Sequence, residues 1–184
     1  MTFRMDKLTI KAQESVVRAQ SLASEKGHPE IDSLHLLSAL LSEQEGIVKP
    51  LLEKIGVQLG QLQSMLGSEL DRLHKVSGGA TPQPNRQLQA VLNASAAEAD
   101  TMRDEFVSTE HLLLALTKTE CKVKNLLQLN GVRENDVLAA LKTLRGSTRV
   151  TDQNPEEKFQ ALERYGIDLV ERAEQGKLDP AIGS

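Results

Sequence analysis

Ile31-Asp32-Ser33-Leu34-His35-Leu36-Leu37-Ser38-Ala39-Leu40-Leu41 returns further along the chain as Val107-Ser108-Thr109-Glu110-His111-Leu112-Leu113-Leu114-Ala115-Leu116, with His111 standing 76 residues after His35. A self-match of this length marks an internal repeat, and the repeat decides the fold. In each copy a residue fit to cap a helix, Asp32 or Ser33 in the first and Ser108 in the second, precedes the apolar run. The His then falls where it closes the first turn.

The same order extends on both sides. Leu8, Ala12, Val16, Ala19 and Ala23 step by helical spacing behind Thr9, a natural N-cap, and Gly27 ends that helix. Val48, Leu51, Leu52 and Ile55 mark a third helix stopped by Gly56, with Pro50 tolerated in its first turn. A fourth runs from about Leu59 to Leu73. In the second copy Leu88, Leu92, Ser95 and Ala99 repeat the first helix at the 76-residue offset, and Val123, Leu126, Leu127 and Gly131 repeat the third at 75. A last helix, roughly Asn135 to Leu144, sets Val137 and Leu141 opposite Leu62 and Leu66.

The fold expected is all-α: two pseudo-two-fold related four-helix repeats, one over about residues 8–73 and one over about 85–146, with a Gly- and Pro-rich joint at 74–84. Positions where the copies differ, such as Val17 against Asn93 or Leu34 against Glu110, are expected where the copies meet each other or solvent. Residues 147–155 read as a polar, flexible linker with nothing to bury. Residues 156–184 read as a short helical tail, broken at Gly166, at the threshold of a further module.

Composition narrows the function classes. The aromatic residues are Phe3, Phe106, Phe159 and Tyr165, so Leu, Val, Ile and Ala must build the core. The formal charge of −4 arises in residues 151–184; the body before them is neutral, which offers no basic stripe for nucleic acid and no polybasic anchor for a membrane. A lone cysteine, Cys121, and the absence of a signal-like apolar start make the cytoplasm the expected compartment.

Catalytic readings find little support. His35 and His111 lie near Asp32 and Glu110, but a zinc site needs three or four converging ligands, and each His is spaced to cap instead. Cys121 opens a helix, whose dipole would lower the thiol pKa, yet no His or Asp is placed to form a dyad. Ser15, Ser33 and Ser108 lack a nucleophile-elbow context. The chain reads as non-catalytic, without a metal, and as a binding module whose aliphatic groove lies at the seam between the two bundles.

The doubled His-Leu-Leu pattern resembles the Clp N-domain, the paired four-helix module before the ATPase rings of Clp unfoldases. Met5-Asp6-Lys7-Leu8-Thr9, the joint Lys75-Val76-Ser77-Gly78-Gly79 and the tail Gln160 to Gly183 are similar to the ClpB-type disaggregase branch. The resemblance implies a domain of residues 1–146, the linker 147–155, and an incomplete start of the first AAA+ module at 156–184. It implies a homohexameric, ATP- and Mg-dependent parent that threads aggregated protein with a DnaK-type chaperone system. Within these 184 residues no Gly-x-x-x-x-Gly-Lys-Ser/Thr loop occurs, so a monomeric front end without cofactor is expected. The resemblance places substrate contacts on Thr9, Asp104 and Glu110, with Leu92 and Ala94 near the groove. Read structurally, Thr9 is an N-cap, Asp104 a solvated loop acid, and Glu110 an acid in the positive first turn of a helix. The rival within the family is an adaptor-binding N-domain of a protease-linked unfoldase.

Overall fold

The computed structural model describes residues 4–146 and 148–156. The expected tail helices, the break at Gly166 and the AAA+ threshold, apart from Glu156, lie outside the described residues.

Eight α-helices are present among the described residues: α1 (Ile10–Glu25), α2 (Ser33–Leu41), α3 (Val48–Ile55) and α4 (Leu59–Asp71) in the first copy, then α5 (Arg86–Thr101), α6 (Thr109–Lys118), α7 (Lys122–Leu129) and α8 (Glu134–Arg145) in the second. Their starts follow side-chain chemistry. Thr9 Oγ1 accepts from the Ala12 amide, Asp32 Oδ2 from Leu34, and Asn85 Oδ1 from Leu88, each satisfying a helix-start N–H that the helix itself leaves free. Gly56 ends α3 at φ 104°, a left-handed conformation that glycine adopts without a Cβ penalty.

The quoted stretches form the two innermost helices. Every residue of α2 except Ser38, and every residue of α6 except Lys118, is buried. Such helices are apolar all round because neighbours cover them on every side. α1 lies along α2 and α5 along α6, while α3 packs on α8 and α4 on α7, across the repeat boundary.

Two short backbone pairings repeat that exchange. Ile31 of β1 (Glu30–Ile31) pairs in parallel with Pro84 of β2 (Gln83–Pro84), and Leu8 pairs in parallel with Val107. Leu8 and Pro84 are equivalent in the repeat, as are Ile31 and Val107, so the entry to each first helix is tied to the entry of the other copy's second helix. One continuous core results, running from Leu8 through Leu37 and Leu113 to Leu141. The expected pair of bundles separated by an aliphatic groove gives way to an interlocked unit, since each copy completes the other's core. Of the differing positions, Val17 and Asn93 face solvent, and Leu34 and Glu110 are both fully buried.

Residues 148–156 also depart from expectation. Val150 and Glu156 are fully buried, and the segment lies against the body instead of having nothing to bury. Its own side chains explain this: a single Val and a single Glu are enough, because the backbone between them finds partners, described next.

Candidate functional site

Thr9, Asp104 and Glu110 converge, as part of a buried polar cluster at the starts of α1 and α6. Thr9 and Glu110 are 0% exposed and Asp104 is 6% exposed, so Asp104 is no solvated loop acid. Arg145, from the last turn of α8, organises the carboxylates. Its Nη2 donates to Asp104 Oδ1 at 2.7 Å and its Nη1 to Asp104 Oδ2 at 3.0 Å, a two-pronged pairing, while Nη1 also reaches Glu110 Oε2 at 3.4 Å. Ser108 Oγ donates to the other oxygen of Glu110.

His111 links this cluster to the helix start. Its Nδ1 accepts from the Ser108 amide at 2.8 Å, which leaves Nε2 to carry the proton and donate to Asp104 Oδ2 at 2.6 Å. Burial pushes the Asp104 carboxyl upward, but the hydrogen bonds from His111, Arg145 and the Val150 amide outweigh it and hold Asp104 well below the usual carboxylate range. Capping is thus what both recurring His residues do: His35 Nδ1 likewise accepts from the Asp32 amide at 2.8 Å.

The first copy builds the same place without the Asp104–Glu110–Arg145 charges, its carboxylate being the cap Asp32. His28 stands where Asp104 does, Leu34 where Glu110 does, and Leu70 where Arg145 does; all three are buried. His28 Nδ1 meets His35 Nε2 at 2.7 Å. Burial, then the neighbouring His28, push His35 down to about 4. Three buried positions therefore change together between the copies, from neutral to charged.

Segment 148–156 covers the charged version. The Val150 amide donates to Asp104 Oδ1 and its carbonyl accepts from the Glu105 amide, both at 2.8 Å; the Gln153 carbonyl accepts from the Ile10 amide at 2.9 Å. Glu156 Oε1 accepts from the Thr9 hydroxyl at 2.7 Å and from the Thr109 amide at 3.2 Å. Burial, then the adjacent Glu110, push the Glu156 carboxyl up to about 7.

The remaining expected residues lie elsewhere. Leu92 is part of the core on α5, so no groove opens at its side chain, and Ala94 is half-buried against that core. Cys121 precedes α7, and burial pushes its thiol up. Among the described residues no group of three or more His, Cys, Asp or Glu side chains is arranged to hold a metal ion, and no helix is long and apolar enough to cross a membrane.

Sequence reasoning missed Arg145, His28 and Glu156. The first two had a signal: aligning the copies sets Arg145 on a core leucine and Asp104 on His28, and a buried position that gains charge in one copy points to a paired cluster. Glu156 lies beyond the repeat and had no counterpart to compare.

Comparison with known proteins places this geometry. A family profile described as "Clp repeat (R) N-terminal domain" matches residues 7–130. The chaperone protein ClpB of Rhodopirellula baltica is 52% identical over 183 residues, covering 100% of the chain and 21% of that protein. The chain thus spans about a fifth of the length of the curated relatives it matches. The Hsp104 N-terminal domain from Candida albicans superposes with a TM-score of 0.74 at 21% identity, covering 82% of the chain and 99% of that domain. A complex of the ClpV N-domain with a VipB peptide superposes at 0.64 and 20% identity, over 80% of the chain and 92% of that domain. At these identities the two structures speak for the fold.

Proposed function

The chain belongs to the Clp repeat N-terminal domain family, and on that premise we propose that it is the polypeptide-engaging front module of a cytoplasmic, ClpB-type disaggregase. In this reading it binds unfolded or aggregated protein weakly and passes it to an ATPase ring. The observation that carries the reading is the likeness to a ClpB chaperone along the whole chain, at 52% identity. A peptide held by a ClpV N-domain of the same fold supports it. The module itself is non-catalytic and takes no cofactor; ATP and Mg belong to the ring, which is a homohexamer working with a DnaK-type system.

Weak binding suits a tethered module. A domain that releases readily hands its cargo on, and the tether keeps the local concentration high. Thr9, Asp104 and Glu110 contribute by building the face at the α1 and α6 starts, with the half-buried Ala94 in a secondary role.

The test is an NMR titration of the 184-residue chain with a permanently unfolded protein, such as reduced, carboxymethylated α-lactalbumin. Saturable shifts at residues around Ile10 and Glu105 are expected. If that client leaves the spectrum unchanged while one folded adaptor binds with fixed stoichiometry, the disaggregase reading fails and the adaptor-binding one replaces it.

A further inference from the structure

The two interlocked copies create two equivalent junctions, each between a first helix and the other copy's second helix. At one, Asn85 capping α5 donates through Nδ2 to Asp32 capping α2 at 2.9 Å. At the other, the caps are Thr9 and Ser108, and Ser108 brings no carboxylate. Glu110 bonds Ser108 from within the repeat, but the carboxylate that joins the two helix starts, on the Thr9 hydroxyl and the Thr109 amide, comes from outside it: Glu156. The second junction is therefore a slot that a carboxyl group from an added segment completes.

Six residues before that carboxyl, Val150 pairs with the turn 104–105 through both its amide and its carbonyl and buries its side chain, and between them Ile10 donates to the Gln153 carbonyl. Main-chain hydrogen bonds, one apolar anchor and one terminal polar anchor are what an extended peptide offers to a groove. Only Thr148, whose amide donates to the Arg145 carbonyl and whose carbonyl accepts from Arg145 Nη2, is held by the end of α8; the contacts of Val150, Gln153 and Glu156 do not use that connection. The hold is also incomplete: Glu156 Oε2 and Thr109 Oγ1 are buried with no hydrogen-bond partner among the described residues. Such groups favour release.

We propose that residues 148–156 are an internal occupant of a polypeptide-binding groove, formed by Thr9, Ile10, Asp104, Glu105 and Thr109, which is displaced by an extended segment carrying an apolar residue followed six places later by a carboxyl or carboxamide. The inference rests on the polypeptide-engaging reading above and gives that activity a location and an internal competitor. The groove is closed until the segment leaves.

The experiment uses the 184-residue chain, the double variant V150D/E156A, whose changes lie in the segment and not in the groove, and a fluorescent peptide copying Thr148 to Glu156. If the segment is undocked about one-tenth of the time, the peptide binds the variant about tenfold more tightly than the unchanged chain. Equal affinity for the two chains, with unchanged far-UV dichroism, overturns the inference. Amide exchange in the unchanged chain provides a second check: Ile10 and Glu105 exchange faster than core amides such as Leu113, whereas exchange only together with the core also overturns it. The unfolded client separates the two readings. Peptide binding that the client cannot displace leaves the groove standing and removes the client reading; client binding that the peptide cannot displace does the reverse.

Discussion

Asp104 lies 2.6 Å from His111 Nε2, in the place that His28 takes 2.7 Å from the same nitrogen of His35. The imidazole keeps one duty in both copies, accepting the amide at its own helix start, and its outer nitrogen is offered a neutral partner in one and a carboxylate in the other. A buried carboxylate without a counter-charge is costly, so Asp104 and Arg145 form a unit with Glu110.

Removing Arg145 alone is therefore expected to be severe. Arg145→Leu, which restores the residue type of the first copy, leaves Asp104 and Glu110 buried without their cation and should cost about 3–5 kcal/mol. Adding Asp104→His and Glu110→Leu rebuilds the neutral version and should return most of that loss. Urea unfolding of the single, double and triple variants measures the coupling; additive losses would show that the three do not act together.

The pH dependence of segment 148–156 follows from Glu156. Its carboxyl is held up to about 7 when docked, so docking takes up a proton. Docking is fully favoured below the ordinary carboxyl range, weakens as pH rises from there to about 7, and is constant above. Faster amide exchange of Glu105 at pH 7.5 than at pH 5, after correction for intrinsic rates, is expected. Glu156→Gln should flatten the profile while keeping the segment docked. Asp104, held low, titrates in the acid range below that window and does not mask it.

Global stability should run the other way over the same interval. His35 is pushed down to about 4, so the folded chain resists a proton that the unfolded chain takes readily. Stability is fully present above the ordinary histidine pKa of about 6.5 and falls as pH drops toward about 4, by up to about 3 kcal/mol. Urea midpoints at pH 7 and pH 5 test this. An acid-stabilised segment on an acid-destabilised body is a pattern that no single titrating group produces.

The repeat made the architecture legible because its signal is spacing: caps, glycine stops and apolar steps recur at fixed offsets, and each is a local property of the chain. Thr9, Asp104 and Glu110, named by the family resemblance and not by spacing, do lie in one cluster. Their burial was not legible, since it depends on Arg145 closing from α8 and on Val150 and Glu156 closing from a stretch whose polar composition suggested a free linker. Composition describes what a segment is able to bury; whether its backbone finds partners is decided by the surface it passes. The interlocking of the copies was hidden for the same reason, because a repeat says which residues are equivalent and not which copy they pack against.

The same equivalence bears on one strained residue. Arg103 has φ 60°, the left-handed region, and its counterpart in the first copy is Gly27 at φ 74°. A residue with a Cβ costs about 1–2 kcal/mol there, and glycine's greater freedom in the unfolded chain returns part of that. Arg103→Gly is expected to stabilise the domain by about 0.5–1 kcal/mol. Gly27→Ala should destabilise it by more than that, since the added Cβ adopts an unfavourable φ and also lies 3.2 Å from the Val76 carbonyl oxygen. Urea unfolding of both variants gives the comparison. If Arg103→Gly destabilises, the arginine side chain contributes more to the turn before Asp104 than its backbone costs, and that contribution would have to come from contacts the first copy manages without.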